Sequence, residues 1–125
     1  MIKQIKSSEI KKFLTDSKDV ELLDVRTQDE WDNIGRPDGE KLNLKTHFVT
    51  IVRSPDLLAN KGFVEEVKNK IDSSKQLLVM CKAGGRSMMA AQLLSQENIT
   101  CINISDGFEG NGENAGWKNE GLPSK

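Results

Sequence analysis

The sequence predicts an α/β fold: a doubly wound sheet of about five mainly parallel strands with helices on both faces. Three observations lead there. Apolar runs of strand length alternate along the chain with segments whose apolar residues recur at helical spacing. The run Leu77-Leu78-Val79-Met80 ends in Cys81 and a glycine-containing loop that feeds straight into Met88-Met89-Ala90-Ala91-Gln92-Leu93-Leu94, a good helix former. The chain has 125 residues, of which 36% are hydrophobic and 30% charged. That is enough to bury one core in a single domain spanning residues 1–125 without a disulfide or a structural metal.

The elements follow in order. Residues 2–5 form a short strand, and Ser7 or Ser8 caps a helix that runs to about Thr15 with Ile10, Phe13 and Leu14 on one face. Residues 21–25, Glu-Leu-Leu-Asp-Val, read as a buried strand. Thr27 followed three positions later by Glu30 has capping-box spacing, so a short helix starts there and turns Trp31 and Ile34 inward. Gly35-Arg36-Pro37-Asp38-Gly39 is a turn, and residues 41–44 are a short strand. Ser54-Pro55 opens the next region, with Pro55 suited to a first helical turn. Phe63, Val64, Val67 and Ile71 keep helical spacing over residues 62–71, and Asp72-Ser73-Ser74 ends that helix. Residues 77–80 are a strand, 86–96 a helix and 100–104 another strand, followed by a loop at Asp106-Gly107. In such sheets ligands bind beyond the C-terminal ends of the strands, where both Asp24 and Cys81 fall.

Composition removes several classes. A net charge of −1 and no basic stripe with interleaved aromatics argue against nucleic-acid or anionic-membrane binding. No apolar stretch has the length of a membrane span, and the N-terminus lacks the apolar core of a secretory signal, so the expected location is cytoplasmic. Two cysteines, Cys81 and Cys101, make no disulfide framework, and with the single His47 they make no zinc site. No metal or cofactor is expected.

Cys81 carries the chemistry. A thiol placed where a strand ends and a helix begins lies close to free backbone N–H groups and the positive end of a helix dipole, which favour the reactive thiolate. Successive amides turned inward around a tight loop make a concave nest for an anion, and Gly84 and Gly85 allow the backbone angles it needs. Cys101, between Ile99 and Ile102 in an apolar run, reads as a buried structural residue; the alternative is a resolving thiol for Cys81.

Three blocks make the chain resemble a single-domain rhodanese, a thiosulfate-type sulfurtransferase. They are Leu22-Leu23-Asp24-Val25-Arg26 with Asp29-Glu30-Trp31; Cys81-Lys82-Ala83-Gly84-Gly85-Arg86-Ser87; and Ser105-Asp106-Gly107-Phe108-Glu109-Gly110 with Trp117 and Gly121-Leu122-Pro123. They span nearly the whole chain in the family's order. The resemblance implies that Cys81 takes a sulfane sulfur from thiosulfate or a persulfide or polysulfide donor, becomes a persulfide held by the loop, and passes the sulfur to cyanide or a thiol. It implies a substrate-binding loop of Lys82, Ala83, Gly84, Gly85, Arg86 and Ser87, with Asp24, Arg26 and Glu30 in support. Partners would be a small sulfur donor and acceptor, or a protein persulfide donor. Arg26, Arg36 and Asn43 are candidate rim residues. Arg86 either faces the substrate or pairs inward with Asp24 or Glu30. Asp24 is either catalytic or, the favoured reading, a brace for the loop that hydrogen-bonds nearby backbone N–H groups.

The chain departs from the family at two places. Ala83 stands where some relatives carry a basic residue, and Gly35-Arg36-Pro37-Asp38-Gly39-Glu40-Lys41 replaces a Gly-His-Ile-Pro-Gly-Ala type of segment. Phosphatases and arsenate reductases share this fold, but phosphatases generally place five residues between cysteine and arginine, and here four intervene. A third reading is a sulfur carrier or a regulatory protein-binding module. The remaining residues take plain roles. Trp31 and Trp117 pack; Met80, Met88 and Met89 line core or pocket; His47 is an exposed or satisfied loop residue. Gly107, Gly110 and Gly121 make turns, residues 111–116 form a polar loop bordering the pocket, and Glu65-Glu66-Val67-Lys68-Asn69-Lys70 is a solvated helix face.

Overall fold

A computed structural model of the chain describes residues 2–53 and 58–125, with backbone alone at positions 53 and 58. The elements are β1 (Lys3–Ile5), α1 (Ile10–Asp16), β2 (Val20–Asp24), α2 (Gln28–Asn33), β3 (Lys45–Phe48), β4 (Val52–Arg53), β5 (Leu58–Ala59), α3 (Phe63–Lys70), β6 (Gln76–Met80), α4 (Gly85–Ser95) and β7 (Cys101–Ile104). Five strands form one sheet in the order β1-β7-β6-β2-β3, with every neighbouring pair parallel. β4 and β5 make a separate antiparallel ribbon. The expected segment at Ser54-Pro55 lies outside the described residues.

Strand alternation sorts the side chains into two cores. Leu23, Val25, Leu77, Val79 and Cys101 face Phe63 and Val67 of α3 and Ala90, Ala91 and Leu94 of α4. Leu22, Leu78, Met80, Ile102 and Ile104 face Ile10 of α1 and the C-terminal residues Phe108, Trp117 and Leu122. Both faces of the central strands are therefore covered, which is why β2, β6 and β7 read as nearly continuous apolar runs. Trp31 of α2 meets Phe48 of β3 edge-on, with ring centroids 5.3 Å apart. No helix among the described residues is long and apolar enough to cross a membrane.

Four local expectations change. The strand expected at 41–44 is a 3-10 turn, Gly39–Leu42, closed by Asn43 in the left-handed region at φ 60°, and β3 begins at Lys45. Asparagine tolerates that conformation, and the alternation that builds the strand belongs to Thr46, His47 and Phe48. His47 is thus a strand residue, buried, with Nε2 2.8 Å from the Glu21 carboxylate. Ile34 caps the end of α2 and is 41% exposed, because the six-residue helix spends its inward position on Trp31. Met89 is exposed on α4, at neither core nor pocket, and Met88 lines a separate groove with Ile2 and Gln4.

Ser7 does not cap α1. Its N–H and hydroxyl both donate to Asp106 Oδ1 at 2.9 Å, across 99 residues of sequence, while the Gly116 N–H donates to Asp106 Oδ2 at 3.0 Å. The carboxylate is fully buried and ties the N-terminus to the turn after β7 and to the segment before Trp117. The turn expected at 35–39 is held by the C-terminus: Arg36 and Lys125 exchange backbone hydrogen bonds at 2.8 and 2.9 Å, and the Asp38 N–H donates to the Pro123 carbonyl. Asp106→Ala leaves two buried backbone N–H groups without acceptors. It is expected to cost about 2–4 kcal/mol in urea unfolding, with no change in the m-value.

Candidate active site

β6 delivers Cys81 to the C-terminal end of the sheet, and the next four residues turn the chain into α4. Gly84 sits at φ 106° as the residue before the helix, where a Cβ would come within 2.3 Å of the Ser105 carbonyl oxygen. Only glycine meets both demands. The same turn aims the Gly84 N–H at Cys81 Sγ, 3.1 Å away. The Ser87 hydroxyl lies 3.4 Å from the sulfur, 3.2 Å from the Gly84 carbonyl and 2.5 Å from Asn103 Oδ1. Asn103 Nδ2 donates in turn to the Gly84 carbonyl and to Gln4 Oε1. Cys81 is 1% exposed and packs within the apolar core on the α3 and α4 side of the sheet, with these polar groups against its sulfur. Among the described residues Gly84 is the one loop amide that donates to it, so the nest of several amides expected around the thiolate reduces to one N–H and one hydroxyl.

The loop is held from behind. The Cys81 carbonyl accepts the Phe108 N–H at 2.8 Å, and the Lys82 carbonyl accepts the Glu109 N–H at 3.0 Å. Gly107 passes so close that a Cβ would lie 2.4 Å from the Lys82 oxygen.

Arg86 pairs inward with Glu30, not Asp24. Its Nη1 and Nη2 donate to Glu30 Oε1 and Oε2 at 2.7 and 2.9 Å, in the fork geometry that guanidinium and carboxylate share. Glu30 also accepts the Thr27 N–H and hydroxyl, completing the expected capping box. Burial pushes the Glu30 carboxyl up, but the Arg86 hydrogen bonds and charge and the Thr27 donors together outweigh it and hold the group below its ordinary 4.5. The same pairing raises Arg86 above its usual value against the opposing pull of burial.

Asp24 and Arg26 form a second pair, fully buried. Asp24 accepts the Arg26 N–H, Nε–H and Nη2–H at 2.8–3.1 Å. Arg26 Nη2 also donates to the Gly35 carbonyl, and its guanidinium lies 4.3 Å over the Phe108 ring, with Nη1 left without a hydrogen-bond partner. Arg26 is therefore beneath the site and not at its rim. Arg36 and Asn43 are not at the rim either. Arg36 pairs with Asp32, and Asn43 precedes the N-terminal end of β3, at the opposite end of the parallel strands from Cys81.

A cavity of about 460 Å³ lies over the loop, lined by Glu30, Ile34, Val52, Lys82, Arg86 and Glu109. Lys82, Ala83 and Gly85 are exposed and Ser87 is buried. The polar loop at 111–116 does not reach this cavity. Sequence reasoning missed Asn103 and Glu109 as site residues. A signal existed for Asn103: a polar residue inside Cys101-Ile102-Asn103-Ile104, at the parity that faces α4. For Glu109 there was none, because its place depends on the backbone stitch to Lys82.

The resolving role for Cys101 does not fit. Burial pushes its thiol up to about 12. The parallel register sets Cys101 beside Leu77, four residues before Cys81 on β6, or roughly 13 Å along the strand, well beyond disulfide reach. Mild oxidation is expected to yield no Cys81–Cys101 cross-linked peptide by mass spectrometry. A second expectation concerns Glu30. A depressed carboxyl contributes stability above its unfolded value and loses it as pH falls through the folded one. Thermal unfolding should therefore show Glu30→Gln less stable than the unsubstituted chain at about pH 6, with the gap closing towards about pH 3.

Comparison with known proteins agrees with this architecture. The family model described as a rhodanese-like domain matches residues 7–113. Uncharacterized proteins of Rickettsia prowazekii (strain Madrid E) and Rickettsia conorii are each 38% identical over 103 residues, covering 82% of this chain and 80% of theirs. The crystal structure of Rv0390 from M. tuberculosis superposes with a TM-score of 0.86 at 31% identity, covering 98% of this chain and 96% of that one. A rhodanese-like domain protein from Staphylococcus aureus has the same fold, with a TM-score of 0.68 at 22% identity and 99% of both chains covered. With its five parallel strands and its cysteine loop between β6 and α4, the chain belongs to the family of rhodanese-like domains.

Proposed function

We propose that the chain is a sulfurtransferase that moves a sulfane sulfur, from thiosulfate or a persulfide or polysulfide donor, to a thiol or cyanide through a Cys81 persulfide. The observation that carries this reading is the Gly84 N–H directed at Cys81 Sγ at 3.1 Å, at the head of an eleven-residue helix. The Gly84 peptide dipole and the N-terminal end of α4 both turn partial positive charge towards the sulfur. Lys82, the next residue in the chain, brings a positive charge to the cavity over the loop. In the first step the thiolate attacks the outer sulfur of the donor; the donor's S–S bond breaks, and sulfite or a thiolate leaves with the bonding pair. In the second step an acceptor nucleophile attacks the outer sulfur of the persulfide and Cys81 leaves as thiolate. The reading includes a cytoplasmic setting, where free thiols stay reduced.

Phosphoryl transfer is the weaker reading. Both terminal nitrogens of Arg86 are engaged by Glu30, which leaves the loop without the free fork a phosphoryl group requires, and four residues make a small ring. Incubation with thiosulfate or with an organic persulfide, followed by mass spectrometry, should add one sulfur to Cys81. Cys81→Ser should abolish both that adduct and cyanide-dependent turnover. An unsubstituted chain that gains no sulfur from either donor, or that releases phosphate from an aryl phosphate instead, would overturn the proposal.

A further inference from the structure

The cavity over the loop carries charge of both signs, and two of its charged groups are unspoken for. Arg86 and Glu30 neutralise each other. Lys82 and Glu109 enter no ion pair among the described residues, yet both line the cavity, and the backbone bond from the Glu109 N–H to the Lys82 carbonyl keeps their side chains rooted side by side. Ile34 and Val52 supply the apolar part of the lining. The four charged side chains sum to zero. An inorganic dianion would gain Lys82 but face the Glu109 carboxylate in the same space, and it has nothing to set against Ile34 and Val52. A volume of about 460 Å³ exceeds the needs of such an ion and falls in the range of small organic ligands.

Resting on the sulfur-transfer reading above, we propose that the sulfur compound this site selects is organic and zwitterionic: an amino-acid-type persulfide. Its carboxylate lies towards Lys82, its ammonium towards Glu109 and its carbon skeleton against Ile34 and Val52. Glu109 is then the specificity-determining residue. The step balances as written for a persulfide R–S–SH. Cys81 thiolate attacks the terminal sulfur, the bond from Sγ to that sulfur forms, the donor S–S bond breaks, and R–S⁻ departs with the electron pair. The terminal sulfur keeps its proton or loses it to solvent.

The test compares kcat/KM for cysteine persulfide, for the persulfide of 3-mercaptopropionate, which has the carboxylate and no ammonium, and for thiosulfate. The unsubstituted chain should favour cysteine persulfide over its ammonium-free analogue by roughly two- to fivefold, the scale of one partly exposed charge pair. Glu109→Gln should erase that preference and raise the relative rate with thiosulfate. Lys82→Met should slow both carboxylate-bearing donors together. The Glu109 side chain makes no hydrogen bond or ion pair within the described chain, so the substitution leaves folding intact, and circular dichroism checks it. If Glu109→Gln leaves the ratio of the two persulfides unchanged, the zwitterion proposal is overturned while sulfur transfer stands. If no donor adds sulfur to Cys81, the transfer reading itself fails, and this proposal with it.

Discussion

The backbone stitch between residues 81–82 and 108–109 sets the course of the loop that carries Cys81. A strand end followed by a short loop has no fixed course of its own, because each amide could as well face water. Two hydrogen bonds from Phe108 and Glu109 pin the carbonyls of Cys81 and Lys82 outward, away from the sulfur. The loop's other face is then free to turn the Gly84 N–H inward. The pin works only at very close approach, which Gly107 permits, and only while Asp106 holds its own turn through three buried hydrogen bonds. Residues near the end of the chain thus fix the geometry of a loop that precedes them by more than twenty positions.

Charge is arranged in two tiers. The lower pair, Asp24 with Arg26, is fully buried, and its desolvation is offset by three hydrogen bonds to the carboxylate, one to the Gly35 carbonyl and the Phe108 ring. The upper pair, Glu30 with Arg86, is part-exposed and ties the start of α4 to α2. Both arginines are consumed internally. The site is left with one unpaired cation, Lys82, and one unpaired anion, Glu109, among the described residues. That division decides the electrostatics of the cavity more than the number of basic residues in the loop does.

Most of the fold was legible because buried parallel strands and their helices carry dense local signals. Leu22-Leu23 and Leu77-Leu78-Val79 announce strands, and Thr27 with Glu30 marks a helix start that the structure keeps. What could not be read were features with no local cause. Ser7 looks like a cap in sequence but serves a carboxylate 99 residues away. The stretch at 41–44 has strand composition, but Asn43 adopts a left-handed turn and the pairing begins two residues later. At the site, the cysteine, its glycines and the Glu30–Arg86 alternative follow from residue chemistry and family pattern. Arg26 misleads, since an arginine near a pocket is ordinarily read as facing it, and only the buried Asp24 two residues before shows otherwise. Asn103 left a trace as a polar residue inside an apolar strand, whereas Glu109 enters by tertiary register alone.

The sheet order has a consequence for how the molecule comes into being. β1 sits at the sheet edge beside β7, about a hundred residues later in the chain, and its Ile5 carbonyl accepts the Ser105 N–H. On a ribosome β1 therefore has no neighbouring strand to dock on until β7 has emerged. β2, β3 and β6 can pair before then, whereas the N-terminal strand and the helix behind it wait for a closure that spans about a hundred residues and pays its loop entropy last. Assembly of the cysteine loop, which leans on the same late turn, belongs to that final event.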